Sequence, residues 1–500
     1  MRTSAAIAAV AVAMAGPALG ATGHSGSGRY GPGDTGVVTV SSETHNSEGE
    51  EPLAVNPLNP DELTVVANVF QPNLPGPARM DVGGAGVQDS RLYVSTDGGR
   101  HWKTWKLDTG GVGPLVFPSP TGAIAPEFSD AGNVLNTDAG VAWDRHGNAY
   151  FESGDVHGVN HGGDEVETVW RSVDGGRSWG PRAGYTAVNA TTDEHTELDR
   201  PWIVADNSGG RHDGRLYTTY ETTPFVDIPP QIYEKWSDDH GRTWSPTVRV
   251  DDGIYETQWN PRNRPVVDAS GALDVVYDRG PVSATPFVAY DGPIQLMMAR
   301  SVDAGHTFVR RVVDSDVHRV TSPDEATSAY TEMIPAIEAS PNRPGWVAIA
   351  WPQAVSASNS RIVLRYTTDG GRHWSSRIDV NDDSVKRNDQ HDHVTLSWLP
   401  DGRLFAGWRD RRLSGGAWTD TYDEWVRVLS VTAGGVSFGK TVRYTTSSQP
   451  PTNSGRSPLQ PDEFQGLVAT RLGVALTWSQ LGSDGLAHLM FRRIPLSAWR

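Results

Sequence analysis

Short runs of alternating apolar and polar residues recur along this chain. Each is broken by an Asp, Asn, Gly or Pro turn and resumes as a second run that often ends in an aromatic. Seven segments share the design, at 50–69, 138–153, 199–221, 264–279, 334–353, 392–412 and 464–480. A period of two with such turns predicts paired β-strands, because successive side chains of a strand point to opposite faces. After each of the first five segments the pattern adds a third strand, a tight turn and a fourth strand. The sixth is followed by VLSVTAGGVSF at 428–438, and the seventh by the single further strand HLMFRRIPL. The β-branched run VVTVSS at 37–42 supplies the outer strand that the seventh unit lacks. The expectation is an all-β chain, a single seven-bladed β-propeller over 37–500, its ring closed by an N-terminal strand so that only short edges remain. A six-bladed ring is the alternative, and it requires one of the seven segments to be an insertion.

The tight turns repeat a motif. They read STDGGRHW from 95, SVDGGRSW from 172, SDDHGRTW from 237, SVDAGHTF from 301 and TTDGGRHW from 367. The copies start 77, 65, 64 and 66 residues apart, and a recurrence of that length signals a repeat architecture. Within one copy the carboxylate of Asp97, Asp174, Asp239, Asp303 or Asp369 can accept bonds from the turn's own amides, Gly takes positive φ, and the aromatic anchors the turn to its sheet. The sixth unit carries Thr432 where the Asp belongs. This motif is similar to the Asp box, SxDxGx[TS][WF], and through it the chain resembles the sialidase-like superfamily of β-propellers built from bacterial neuraminidase repeats. The resemblance spans residues 90 to 375. It implies turns on the outer rim, away from an active site, and an activity on glycans.

Composition adjusts this picture at three points. MRTSAAIAAVAVAMAGPALGATG has Arg2, an apolar run and small residues near Ala21, the pattern of a secretory signal; we expect a signal peptide at 1–20, a disordered leader at 21–36 and a secreted, extracellular protein. The chain contains no cysteine, which excludes disulfides, thiolate metal sites and a thiol nucleophile. A formal charge of -17 argues against nucleic acid and anionic lipid as partners. A monomer acting on a glycan substrate is expected, with no membrane partner, no cofactor and no metal.

Candidate chemistry collects where a propeller brings its loops together, before each innermost strand and after each second strand. Arg200, Arg262, Arg264, Arg279, Arg409 and Arg411, with Asp410 beside the last two, are candidates for substrate binding, since forked guanidinium groups bind a carboxylate bidentately. An acidic sugar is the ligand that this suits. The alternative role for the same arginines is inter-blade salt links to Asp199, Asp278 and Asp410. Glycoside cleavage needs two carboxylates, or in sialidases a Tyr assisted by a Glu. Glu197, Asp199, Tyr220 and Glu221 are candidates for those parts. His391 and His393 fall on one side of a strand by alternation and are candidates for a general base or, less simply, a metal site. With Tyr277 they suit proton abstraction beside a uronate carboxylate, which is lyase chemistry.

A sialidase-like glycoside hydrolase acting on an acidic glycan is therefore the leading expectation. A polysaccharide lyase on the same propeller and a non-catalytic glycan- or protein-binding propeller are the alternatives.

Overall fold

The computed structural model describes residues 30–41, 47–49, 52–70, 87–105, 134–157, 166–180, 183–186, 196–224, 231–252, 258–259, 263–281, 293–320, 334–383, 389–417, 420–449 and 465–500. The expected signal peptide, Arg262 and most of the expected leader lie outside them. For Glu197 and Asp199 the described part is the backbone.

Seven antiparallel sheets follow one another along the chain, so the seven-bladed reading holds and the six-bladed alternative does not. Blade one runs outward through Leu53–Val55, Leu63–Phe70, Val87–Ser95 and Lys103–Trp105, with Ser47–Gly49 also paired to its second strand. Blades two to six repeat this order from inner strands Val134–Trp143, Thr196–Ala205, Arg264–Val267, Ala336–Ala339 and His391–Trp398. Blade seven has Leu467–Thr470, Gly473–Leu481 and Ala487–Ile494 in sequence order. Its outer strand is Val38–Thr39, paired antiparallel to Phe491 and Met490. The closure begins earlier than residue 37, because Asp34 pairs with Arg492 at 2.8 Å and the Thr35 amide donates to the Arg493 carbonyl at 3.1 Å.

The repeated turns are built as their residues require. In blade three Ser237 Oγ donates to Asp239 Oδ1 at 2.8 Å, and Asp239 accepts from the Thr243 amide at 2.8 Å and its hydroxyl at 2.7 Å. The glycine after it has φ +85°, and the Trp244 indole N–H closes the turn on the Gly241 carbonyl at 3.1 Å. Blades one, two, four and five repeat the Ser or Thr hydroxyl to Asp bond at 2.8–3.0 Å. The aspartates stay below the usual carboxylate range because, although burial opposes it, these hydrogen bonds favour the charged form.

Most of the core lies in the seams between blades. One position shows how regular it is. The third-strand residue opposite the fourth residue of the second strand is Leu92, Val169, Met298 and Leu364 in four blades, and opposite the fifth residue it is Val426 and Phe491 in blades six and seven, all buried. In blade three it is Glu234, equally buried.

Candidate functional site

The starts of the inner strands and the ends of the second strands gather at one mouth of the ring. Three inner strands carry the same irregularity there, between Thr137 and Gly140, Asp199 and Trp202, and Asp392 and Thr395. Each slips three residues past two on its partner, which is a β-bulge. Arg200 and His393 sit at matching points of two bulges with φ of 51° and 50°, a left-handed conformation that costs a non-glycine residue of order 1 kcal/mol. Strain held at one level of opposite blades marks this level of the ring.

Blades three and four bring together Arg200, Trp202, Glu221, Asn263 and Arg264. Arg200 Nη1 donates to Glu221 Oε1 at 2.5 Å, and Glu221 is 2 % exposed. Asn263 Nδ2 donates to the Arg200 carbonyl at 3.5 Å and Asn263 Oδ1 accepts from the Thr219 hydroxyl at 2.5 Å, so the bulge is tied to the next blade. Arg264 lies over the Trp202 ring at 4.5 Å. Burial pushes the Arg264 guanidinium down to about 10, which leaves it a cation at neutral pH. Both it and Trp202 are half-buried, so this corner offers two guanidinium groups, a carboxylate and an indole face.

Blade six is organised differently. Asp392 is fully buried and receives Arg411 Nη1 at 3.0 Å, His393 Nδ1 at 2.9 Å and Arg409 Nε at 3.7 Å. Burial would raise its carboxyl, but Arg411, His393 and Arg409 together hold it well below the usual range. Arg409 also faces Glu424 at 3.5 Å and stacks on Tyr422 at 4.3 Å. Burial outweighs that arginine and pushes Glu424 up to about 7.

His391 forms a second buried centre. Its Nδ1 donates to the Ser360 carbonyl at 2.7 Å, and its Nε2 lies 3.3 Å from both Asp383 and Asp410. Arg361 pairs with Asp383 at 2.8 Å; Arg412 pairs with Asp410 at 2.7 Å and Asp382 at 2.5 Å. Three carboxylates against two guanidinium groups leave one negative charge, which an imidazolium cancels and a divalent cation overshoots. Burial works against the protonated ring, yet Asp383 and Asp410 hold its pKa up at about 9. A donor set with this charge fits a proton better than a metal.

Several expected roles change accordingly. His391 is a buried cation in a salt cluster and cannot act as a base near neutral pH. His391 and His393 do not share one face, because the bulge interrupts the alternation. Tyr220 is not beside Glu221 in the mouth: neighbours on a strand point to opposite faces, and Tyr220 packs in the seam with Tyr233, 6.0 Å between rings, its phenol pushed up by burial. Tyr277 is likewise buried, with its phenol raised. Arg279 is tied by Asp252 and by Gln295, while its neighbour Asp278 pairs with Arg319 at 2.8 Å. Arg409, Asp410 and Arg411 are buried and paired within blade six, while Arg279 links blade four to Asp252 after blade three. Arg200, Glu221 and Arg264 remain grouped at the mouth, and the backbone of Asp199 lies opposite Glu221. Sequence reasoning passed over Trp202, Asp383 and Glu424; the acidic pair Asp382 and Asp383 just before the sixth segment was the available signal for one of them.

No family model matches the chain. It is 26 % identical over 324 residues to a sialidase of Micromonospora viridifaciens, a match covering 62 % of this chain and 43 % of that protein, so it spans less than half of that relative's length. Among solved structures, a protein of unknown function from Dyadobacter fermentans superposes with a TM-score of 0.47 at 14 % identity over 92 % of this chain and 98 % of its own. A Trypanosoma rangeli sialidase gives 0.43 at 11 % identity over 92 % and 57 %, and a Hadza microbial sialidase 0.42 at 14 % over 73 % and 66 %. The chain is a seven-bladed β-propeller with sequence similarity to a sialidase.

Proposed function

We propose that this protein is a secreted glycoside hydrolase that cleaves an acidic glycan at the mouth formed by blades three and four. The observation that carries the reading is the sequence similarity to a sialidase across most of the propeller. The corner geometry supports it. Arg264, backed by Trp202, is placed to receive a sugar carboxylate, and the indole face suits the apolar side of a pyranose ring. Glu221 supplies one carboxylate of the pair that glycoside cleavage requires, with Arg200 fixing its orientation. Glu197 and Asp199, on the facing strand, are the candidates for the other.

A second reading has an observation of its own. Arg279, Arg409 and Arg411 are already paired within the protein, as in a propeller that binds glycans without cleaving them. The lyase reading loses two of its candidates, since His391 sits in a buried salt cluster and Tyr277 is buried with a raised phenol, and is left with His393, held by Asp392 at 2.9 Å.

The test is incubation of the purified protein with sialosides and uronate-containing glycans, following reducing ends and the absorbance of unsaturated products together. Hydrolysis gives reducing ends without absorbance, and Glu221→Gln or Arg264→Ala should lower the rate about 100-fold or more. Retention of a glycan with no release on any substrate would favour the binding propeller. Amino-terminal sequencing of protein recovered from culture medium tests export, with cleavage expected near Ala21.

A further inference from the structure

The seams between blades differ at one place. In five of them the aromatic of a repeated turn wedges between two blades: Trp102 at the seven–one seam, Trp179 at one–two, Trp244 at two–three, Phe308 at three–four and Trp374 at four–five. At the six–seven seam the wedge is Trp499 of the short 3-10 helix Leu496–Trp499, 5.2 Å from the Phe405 ring. At the five–six seam the third-to-fourth-strand turn of blade six sends no ring inward among the described residues, and Trp346, from the turn before the second strand of blade five, packs there instead. Blade six turns directly from Thr432 to Gly435, and its aromatic arrives one residue late, as Phe438, which stays at the rim 43 % exposed. An open cleft of about 660 Å³ lies there, lined by Tyr366, Ser376, Asp379, Gly434 and Phe438.

We infer that this outer cleft is a second carbohydrate-binding site, taking a neutral sugar ring where the turn of blade six leaves Phe438 exposed at the rim. The inference rests on the glycan reading above for its ligand class, and on the cleft for everything else. A sugar ring needs an apolar platform for its C–H face and polar groups around its hydroxyl rim. Phe438 is the platform. One face is held against Arg427, whose guanidinium lies 4.1 Å from the ring and reaches across the seam to the Val380 carbonyl at 2.7 Å. The ring is therefore pre-positioned. The exposed carboxylate of Asp379, the Ser376 hydroxyl and the backbone at Gly434 supply acceptors and donors around it.

Charge selects the sugar. Arg377 is neutralised by Asp314, with contacts of 2.5 and 2.8 Å, and Asp379 adds a negative charge to the lining. The cleft carries no excess positive charge to attract an acidic sugar, unlike the mouth. The two sites thus divide a glycan between them, the acidic residue at the mouth and neutral residues on the rim.

The experiment measures retention of the full chain on a panel of immobilised neutral and acidic oligosaccharides, using Glu221→Gln so that the probes are not consumed. At least one neutral glycan should be bound, with retention falling tenfold or more in Phe438→Ala and in Asp379→Asn and unchanged in Arg264→Ala. Gly434→Trp, whose Cβ would meet nothing closer than 3.9 Å, should abolish retention and, made in the chain that keeps Glu221, leave both the thermal midpoint and glycan hydrolysis unimpaired. Failure to bind any neutral glycan, or binding indifferent to Phe438→Ala and Gly434→Trp, overturns the inference. Hydrolysis without neutral retention defeats the cleft alone, whereas neutral retention without hydrolysis defeats the enzyme reading alone.

Discussion

Glu234 offers the sharpest test of the packing argument. Six blades place an apolar side chain at its position, and the close approach of the next blade's turn leaves no room for water: a Cβ on Gly305 would lie 2.8 Å from Glu234 Oε1. Neither carboxyl oxygen has a hydrogen-bond partner among the described residues. Burial holds the acid well above its usual pKa, with Arg215 offsetting only part. The folded protein therefore binds this proton where the unfolded chain releases it, so stability falls as pH rises above the unfolded value of about 4.3. Leaving its polar atoms unpaired costs about 1–3 kcal/mol, and the linkage adds a penalty that grows with pH, less the share that Arg215 returns. Glu234→Met, which restores the residue that blade four uses, should stabilise the protein by about 2–4 kcal/mol at pH 7. At pH 4 the unfolded glutamate is mostly protonated too, and the gain should shrink to about 1 kcal/mol. Urea unfolding of both proteins at the two pH values, with unchanged slopes, measures the difference. A destabilised variant, or a gain independent of pH, would refute the reasoning.

Three further outcomes follow from the same structure. The His391 pKa is raised by folding, so its contribution, about 3 kcal/mol, is complete below pH 6.5 and lost as pH rises through about 9. Thermal midpoints between pH 6 and 10 should show that decline, and His391→Gln should flatten it. Gly99→Ala puts a methyl 2.0 Å from the Phe491 ring at φ +87°, whereas Gly485→Ala has φ +82° and nothing nearby. The first should cost about 3 kcal/mol or more and the second about 1 kcal/mol in denaturant titrations. Removing residues before 42 strips Val40 from the core and frees the Ala487–Ile494 edge. A lower melting temperature and concentration-dependent light scattering are expected; association without destabilisation would contradict the closure.

What the sequence by itself determined was the repeat. Alternation, turn residues and the spacing of the Ser-x-Asp-x-Gly motif are local, and local geometry forces a strand of period two to pair with its neighbour across a short turn. Closure was legible as well, since Val38 and Thr39 are β-branched and one unit lacked an outer strand. Which side chains face the mouth was decided only by the tertiary structure. The bulges at Arg200 and His393 insert a residue that alternation cannot anticipate, and they sent the two expected histidines to different surroundings. Whether an arginine meets a ligand or a carboxylate depends on connectors far away in sequence: Asp252 reaches Arg279, and Asp382 and Asp383 reach Arg412 and His391. The pKa values of those groups follow from burial and from charges brought within 4 Å by the ring, and neither quantity exists until the seams between blades are closed.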